Sequence, residues 1–190
     1  MMPSETRHTI APTSLGAITL VASGPALTGV YFPGHWSRPN AQTFGQRVSA
    51  PEDAVLSVAG HQLQEYLAGE RVAFDLAAAT HGDAFQERVW AALREIPYGE
   101  TITYGNLAKA LGQGALAHEV GQAVGRNPLS IIIPCHRVVG KDGKLTGYAG
   151  GVERKRTLLD LEGHGRRAQG YPDPRRLSQE ALPLFMTSGQ

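Results

Sequence analysis

The sequence predicts an α/β chain in two parts: a small β-sheet with one helix, then a mainly helical, winged-helix-like unit. Three observations carry this. Apolar runs with β-branched residues at 15–22 and 26–32 are separated only by Ser23-Gly24-Pro25, which marks a hairpin. Three helix-length periodic segments follow one another between residues 83 and 125. Between these regions lies a small-residue stretch, 77–82, suited to a linker. The expected division is therefore a sheet/helix domain at 1–80, a helical domain at 81–163, and a loosely ordered tail at 164–190, rich in Gly, Pro and Arg.

Each element has its own signal. Ser49-Ala50-Pro51-Glu52 has capping-box spacing with a proline in the first turn, and opens a periodic run (Val55, Leu56, Ala59, Leu63, Tyr66, Leu67) that stops at Gly69. A short strand is expected at 72–76. Asp83 and Gln86 repeat the capping-box spacing. Phe85, Val89, Ala92, Leu93 and Ile96 then line one face of a helix that Pro97 ends. A second helix runs from Thr103 to Leu111 and is closed by Gly112; a third covers 115–124 and is closed by Gly125. Ile131-Ile132-Ile133 reads as a buried strand stopped by Pro134. Residues 138–148, with Asp142-Gly143, read as a hairpin, and 152–162 as a last amphipathic helix ending at Gly163.

Composition narrows the function classes. Hydrophobic residues make up 42% and charged residues 18%, with a net charge of +1, which excludes a disordered or polybasic chain. There is no basic-then-apolar N-terminal leader and no apolar run near the ~20 residues that span a bilayer, so a soluble cytoplasmic protein away from membranes is expected. The one cysteine, Cys135, can form no internal disulfide and no multi-thiolate zinc site; no metal and no cofactor are expected. Charge is uneven. The first 80 residues carry four bases and six acids, whereas residues 137–156 hold six bases and two acids, a locally basic stretch compatible with a polyanionic partner, though by itself such a stretch is more often just a solvated surface.

Cys135 follows a proline that ends an apolar run and precedes His136 and Arg137. An isolated cysteine is usually a small buried hydrophobe. Here the neighbouring cations favour thiolate over thiol, which makes a nucleophile the competing reading. Adjacent side chains on an extended chain point apart, so Cys135 and His136 meet only if the chain turns, or through a water. A base of this kind needs an orienting partner, and Glu162, Asp160 and Glu119 all qualify on spacing. On the third helix of the second half, Ala117, Gly121 and Gly125 fall at i, i+4 and i+8, so one stripe carries almost no side chain. Helical glycine costs roughly 0.8–1.0 kcal/mol against alanine, so close packing or insertion into a narrow groove must require it.

Taken together, Ile133-Pro134-Cys135-His136-Arg137-Val138, with Gly125-Arg126-Asn127-Pro128 before it and Gly147-Tyr148-Ala149-Gly150-Gly151 after it, resembles the active-site region of the O6-alkylguanine-DNA alkyltransferases. Phe85-Gln86-Glu87-Arg88-Val89-Trp90 and the stretch from Pro97 to Gly105 are similar as well; the likeness is dense over 84–162 and weaker over the first domain. The resemblance implies a monomeric repair protein acting on double-stranded DNA. It moves an alkyl group from O6 of guanine, and from O4 of thymine, onto its own cysteine after flipping the base out. Cys135 would be the acceptor, His136 would take its proton through a water, Glu162 would orient His136, and Asn127 would brace the site. Tyr104 would donate to the base, Tyr148 would wall the pocket, the carbonyls of Cys135 and Val138 would read the guanine amino group, and the Ala149 N–H would face O6. Ala117, Gly121 and Arg126 would lie along the DNA. His118 stands where family members commonly have an arginine that fills the gap left by the flipped base, and the N-terminal cysteines with which some relatives bind zinc are missing. Two other readings compete: a damage sensor without transfer, against which Cys135 argues, and a cysteine hydrolase, distinguished by turnover.

Overall fold

The computed structural model describes residues 6–37, 39–112 and 114–168. Its first half is a four-stranded sheet: β1 (Thr6–Thr13), β2 (Gly16–Ser23) and β3 (Ala26–Tyr31) are antiparallel, and β4 (Gln46–Arg47) pairs parallel to β1, giving the order β3-β2-β1-β4. The hairpin turns between residues 23 and 26, as the sequence indicates. β1 is additional. Its core-facing residues are Thr9 and Ala11, while Ile10, its largest apolar side chain, points outward and is 41% exposed. Helix α1 (Ala54–Leu67) lays Leu56, Ala59, Leu63 and Tyr66 over this sheet against Ile18, Leu20, Leu27 and Val30, all essentially solvent-free. Each such leucine or isoleucine contributes roughly 1.5–3 kcal/mol of transfer free energy.

Two expectations in this half need correction. The cap of α1 is Asp53, whose carboxylate accepts from Leu56 N at 3.0 Å; Ser49 makes no capping bond, and residues 50–52 form a separate 3-10 turn. Asp53 wins because it is also paired with Arg7 of β1, which donates in addition to Gly24 O. No strand forms at 72–76. There Gln62 of α1 stands in for a neighbouring strand, donating to Asp75 O at 2.6 Å and accepting from Asp75 N at 2.8 Å.

In the second half α2 (Ala84–Arg94) carries the full Asp83/Gln86 capping box. Strand β5 (Ile102–Thr103) leads into α3 (Tyr104–Leu111), which is capped by Thr103 and ends at Gly112; α4 (Ala117–Gly125) follows. Trp90 Nε1 donates to Ala123 O at 2.9 Å and fixes α2 on α4. Residues 131–133 are not a strand. The Asn127 side chain accepts from Leu129 N at 3.0 Å and donates to Ile133 O at 2.9 Å, folding this run into a turn with Ile131 at φ 73°. A buried β-branched residue at positive φ is strained, and the bracketing amide is what holds it there. Cys135–Arg137 form a 3-10 turn, and β6 (Val138–Val139) pairs parallel with β5. The Asp142-Gly143 turn exists, closed by Gly140 N to Lys144 O at 2.8 Å, but no return strand follows it. Helix α5 (Val152–Ala168) runs through Gly163 instead of ending there. Residues 164–168, expected to belong to the tail, continue α5 as backbone, and residues 169–190 lie outside those described.

Candidate active site

The β5–β6 pairing sets the start of α3 beside the turn that carries Cys135, and α5 closes over both. Lys155, Leu158 and Glu162 lie at i, i+3 and i+7 on the inner face of α5, and all three are fully buried. A lysine and a glutamate on an otherwise apolar stripe need partners, because unpaired buried charge is costly.

Glu162 has them. Its Oε1 accepts from His136 Nε2 at 2.7 Å, from Arg137 Nη2 at 3.0 Å and from the Tyr66 hydroxyl; its Oε2 accepts from Gly99 N at 2.8 Å and Arg137 Nε at 2.9 Å. Burial alone would raise the pKa of this carboxyl, but the charges and hydrogen bonds of His136 and Arg137 outweigh it and hold it at about 2. The alternatives are excluded as partners of His136. Asp160 is exposed, and Glu119 folds back to accept from Leu116 N at the start of α4. Because the carboxylate can only accept, Nε2 carries the imidazole proton, and Nδ1, which has no protein hydrogen-bond partner, keeps its lone pair. Burial pushes the His136 pKa down, against the pull of Glu162, so the ring is neutral at pH 7 and takes on charge only in acid.

Cys135 is 3% exposed, not at an open strand end, and its thiol is pushed up to about 11 by burial. The expected help from flanking cations is absent: Arg137 turns away to Glu162 and to Ile96 O at 2.6 Å, and His136 is neutral. What opposes the burial is the Asn127 side chain and the charge of Lys155. Lys155 Nζ donates to Val138 O at 2.6 Å and Thr146 O at 3.1 Å, and stands 5.9 Å from the centroid of the Tyr104 ring. Burial brings its pKa down to about 8, the nearby Cys135 working against this. Tyr104 stays a phenol because burial raises its pKa. Tyr148 sits edge-on to His136, ring centroids 6.5 Å apart, and to Phe32 at 5.9 Å. The carbonyls of Cys135 and Val138 each already accept one bond, from Val138 N and Lys155 Nζ, which leaves each a second lone pair. Ala149 is buried beside Tyr148, and its carbonyl accepts from Trp36 N at 3.0 Å.

The structure thus brings Cys135, His136, Glu162, Asn127, Tyr104, Val138, Tyr148 and Ala149 into one region. Ala117, His118 and Arg126 lie on the exposed side of α4, with Gly121 half-buried against the Tyr104 ring. His118 and Arg126 are eight residues apart, or about 12 Å along the axis, so they cannot serve the same spot. Sequence reasoning missed Tyr66 and Lys155. Tyr66 hid among the apolar residues of α1; Lys155 was legible as a charge on a buried stripe.

A family model described as 6-O-methylguanine DNA methyltransferase, DNA binding domain, matches residues 84–164, and one described as its ribonuclease-like domain matches 6–79. The chain belongs to the 6-O-methylguanine-DNA methyltransferase family. Among members of this family, the methylated-DNA–protein-cysteine methyltransferase of Mycobacterium tuberculosis is 45% identical over 148 residues, covering 78% of this chain and 87% of that protein. The one from Methanosarcina acetivorans is 55% identical over 105 residues, covering 55% and 67%. The crystal structure of Mycobacterium tuberculosis OGT in complex with DNA superposes with a TM-score of 0.74 at 42% identity, over 84% of this chain and 94% of that one.

Proposed function

We propose that the protein repairs alkylated double-stranded DNA by direct reversal, moving one alkyl group per molecule from O6 of guanine, or O4 of thymine, to Cys135. The observation that carries this is a buried thiol followed directly by an imidazole whose Nε2–H is held by Glu162, leaving Nδ1 as the base. With the thiol at about 11, only about one molecule in 10⁴ is thiolate at pH 7, a cost of about 5 kcal/mol if ionisation came first. Proton removal is therefore coupled to attack. The thiol proton passes through a water to His136 Nδ1 and Glu162 stabilises the imidazolium. Sγ bonds to the alkyl carbon while the O6–carbon pair passes to the purine, and the purine then takes a proton to become guanine. The product thioether has no proton to lose and no leaving group, so the protein is consumed. Asn127 holds the turn, Lys155 supplies positive charge to the sulfur, Tyr104 donates to the extruded base and Tyr148 walls it.

The 81–163 part carries DNA binding and transfer. The exposed small-residue side of α4 suits a minor groove about 6 Å wide, and extruding the base costs a few kcal/mol, least for a damaged pair. On this reading the protein acts in the cytoplasm as a monomer. The test is the intact mass of the full chain after mixing with a duplex containing O6-methylguanine. One added methyl, mapping to Cys135 and missing in Cys135→Ser, which still binds the duplex, is expected. Unmodified protein with bound DNA would mean a sensor, and repeated product release a hydrolase.

A further inference from the structure

The loop after β3 reaches across to the second half and carries Trp36, the most exposed of the large hydrophobic side chains among the described residues at 57%. A single exposed apolar side chain needs no explanation by itself; what sets this one apart is how firmly it is held. Trp36 is fixed at both ends: its backbone N–H donates to Ala149 O at 3.0 Å and its indole Nε1 donates to Gly125 O at 3.1 Å, at the last turn of α4. The fit is close, because a Cβ on Gly125 would stand 2.7 Å from the indole. The side-chain-free stripe of α4 is therefore accounted for unevenly. Gly125 makes room for Trp36, whereas a Cβ on Gly121 would only meet Tyr104 at an ordinary 3.8 Å, and Ala117 is open to solvent.

We propose that Trp36 is a nucleobase-stacking residue lent by the first half to the DNA-facing side of α4. This rests on the DNA-repair reading above and adds a contact outside the DNA-binding part. The indole lies where the small-residue stripe ends, next to exposed Arg126, which can meet a phosphate, and its outer face is presented already ordered. A rigid aromatic loses little entropy on binding, and stacking on a base is tolerant of sequence, which suits a protein that must scan undamaged DNA.

The chain has two tryptophans, and Trp90 is buried. Titrating the full-length protein with unmodified duplex should quench the Trp36 emission, while Trp36→Phe, which leaves only Trp90, should show no quenching. Trp36→Ala should bind the duplex about 5-fold or more weakly by fluorescence polarisation of labelled DNA, which corresponds to about 1 kcal/mol. Melting curves of both variants report folding. Quenching that persists in Trp36→Phe, or equal affinity of Trp36→Ala and wild type, overturns the proposal. Alkylation of wild-type Cys135 by an O6-methylguanine duplex, followed in parallel, separates the two readings. Alkylation with an inert Trp36 overturns the stacking role alone; quenching without alkylation supports stacking and overturns the transferase.

Discussion

Glu162 does two jobs. As the acceptor of His136 Nε2–H it sets the tautomer, and as the partner of Arg137 it neutralises a nearly buried guanidinium. Glu162→Gln should slow single-turnover transfer by roughly 10²–10⁴-fold, the usual range for acid–base assistance. It should also destabilise the fold by about 3–5 kcal/mol, since one member of a buried pair is left behind. Tyr66→Phe tests the site more gently: it removes one donor to Glu162 and keeps the ring against Phe74 and Tyr98. Transfer should fall severalfold with the melting temperature nearly unchanged; a rate equal to wild type would remove Tyr66 from the site. Lys155→Met tests the charge beside the thiol. Losing it should move the thiol further above about 11 and, because charge develops on sulfur as the proton leaves, slow reaction with free O6-benzylguanine by roughly severalfold, with Lys155→Arg restoring part of the loss. An unchanged pH–rate profile in Lys155→Met would show that the ammonium serves only the carbonyls of Val138 and Thr146.

At the scale of elements, α4 is where sequence and structure differ most usefully. His118 lies exposed in its first turn, and Glu119 beside it is occupied in capping Leu116 N. An imidazole is shorter than a guanidinium and carries no permanent charge, so if His118 is the residue that enters the vacated base site, as the resemblance implies, it would fill it less well than arginine. His118→Arg should tighten duplex binding and speed duplex repair, with little change in reaction with the free base, which needs no extrusion; equal duplex rates for wild type, His118→Arg and His118→Ala would refute the assignment. Most of the helices were legible in the sequence because caps and periodicity are local: Asp83/Gln86 form the capping box their spacing indicated, and the helix expected from Thr103 is there with Thr103 as its cap. What was not legible depends on distant partners. β1 buries Thr9 and Ala11 because β2 pairs beside it, Gln62 replaces a strand at 72–76, and Asn127 converts three isoleucines from strand to turn. The site shows the same division. Cys135, His136 and Glu162 were visible as residue types, but the choice of Glu162 over Asp160 and Glu119 rested on resemblance until the packing of α5 was known. The neutral state of the thiol and imidazole was not visible at all, since burial is a property of the whole fold.

At the scale of the molecule, the two halves are stitched together through the site. Val30 N donates to Pro128 O at 2.8 Å, Arg154 Nε donates to Leu15 O at 2.8 Å, and Tyr66 of α1 reaches Glu162 of α5. A perturbation of the first half should therefore be felt by both, and acid supplies one. His35, in the loop that carries Trp36, is 4% exposed, packs edge-on to the Tyr31 ring, and has no hydrogen bond to either ring nitrogen. Burial lowers its pKa from 6.5 to about 4, and Tyr31, whose own pKa burial raises, offers no charge to offset that. Between these two values the unfolded chain binds a proton that the folded chain refuses. Stability from this group is thus complete above pH 6.5 and is lost as pH falls toward 4. His136 is also lowered and acts in the same sense, whereas Glu162, held at about 2 against 4.5, loses its contribution only from about pH 4.5 downward. The wild-type melting temperature should begin to fall near pH 6.5. In His35→Leu, where His136 and Glu162 still titrate, the fall between pH 6.5 and 4.5 should be shallower, so the difference between the two curves isolates His35. Trp36 emission should shift over the same interval in wild type, because protonating His35 forces an unpaired charge out of the loop that holds the indole on Gly125. Parallel melting curves for wild type and His35→Leu, with Trp36 emission constant down to pH 4.5, would show that His35 gains a proton without opening the loop.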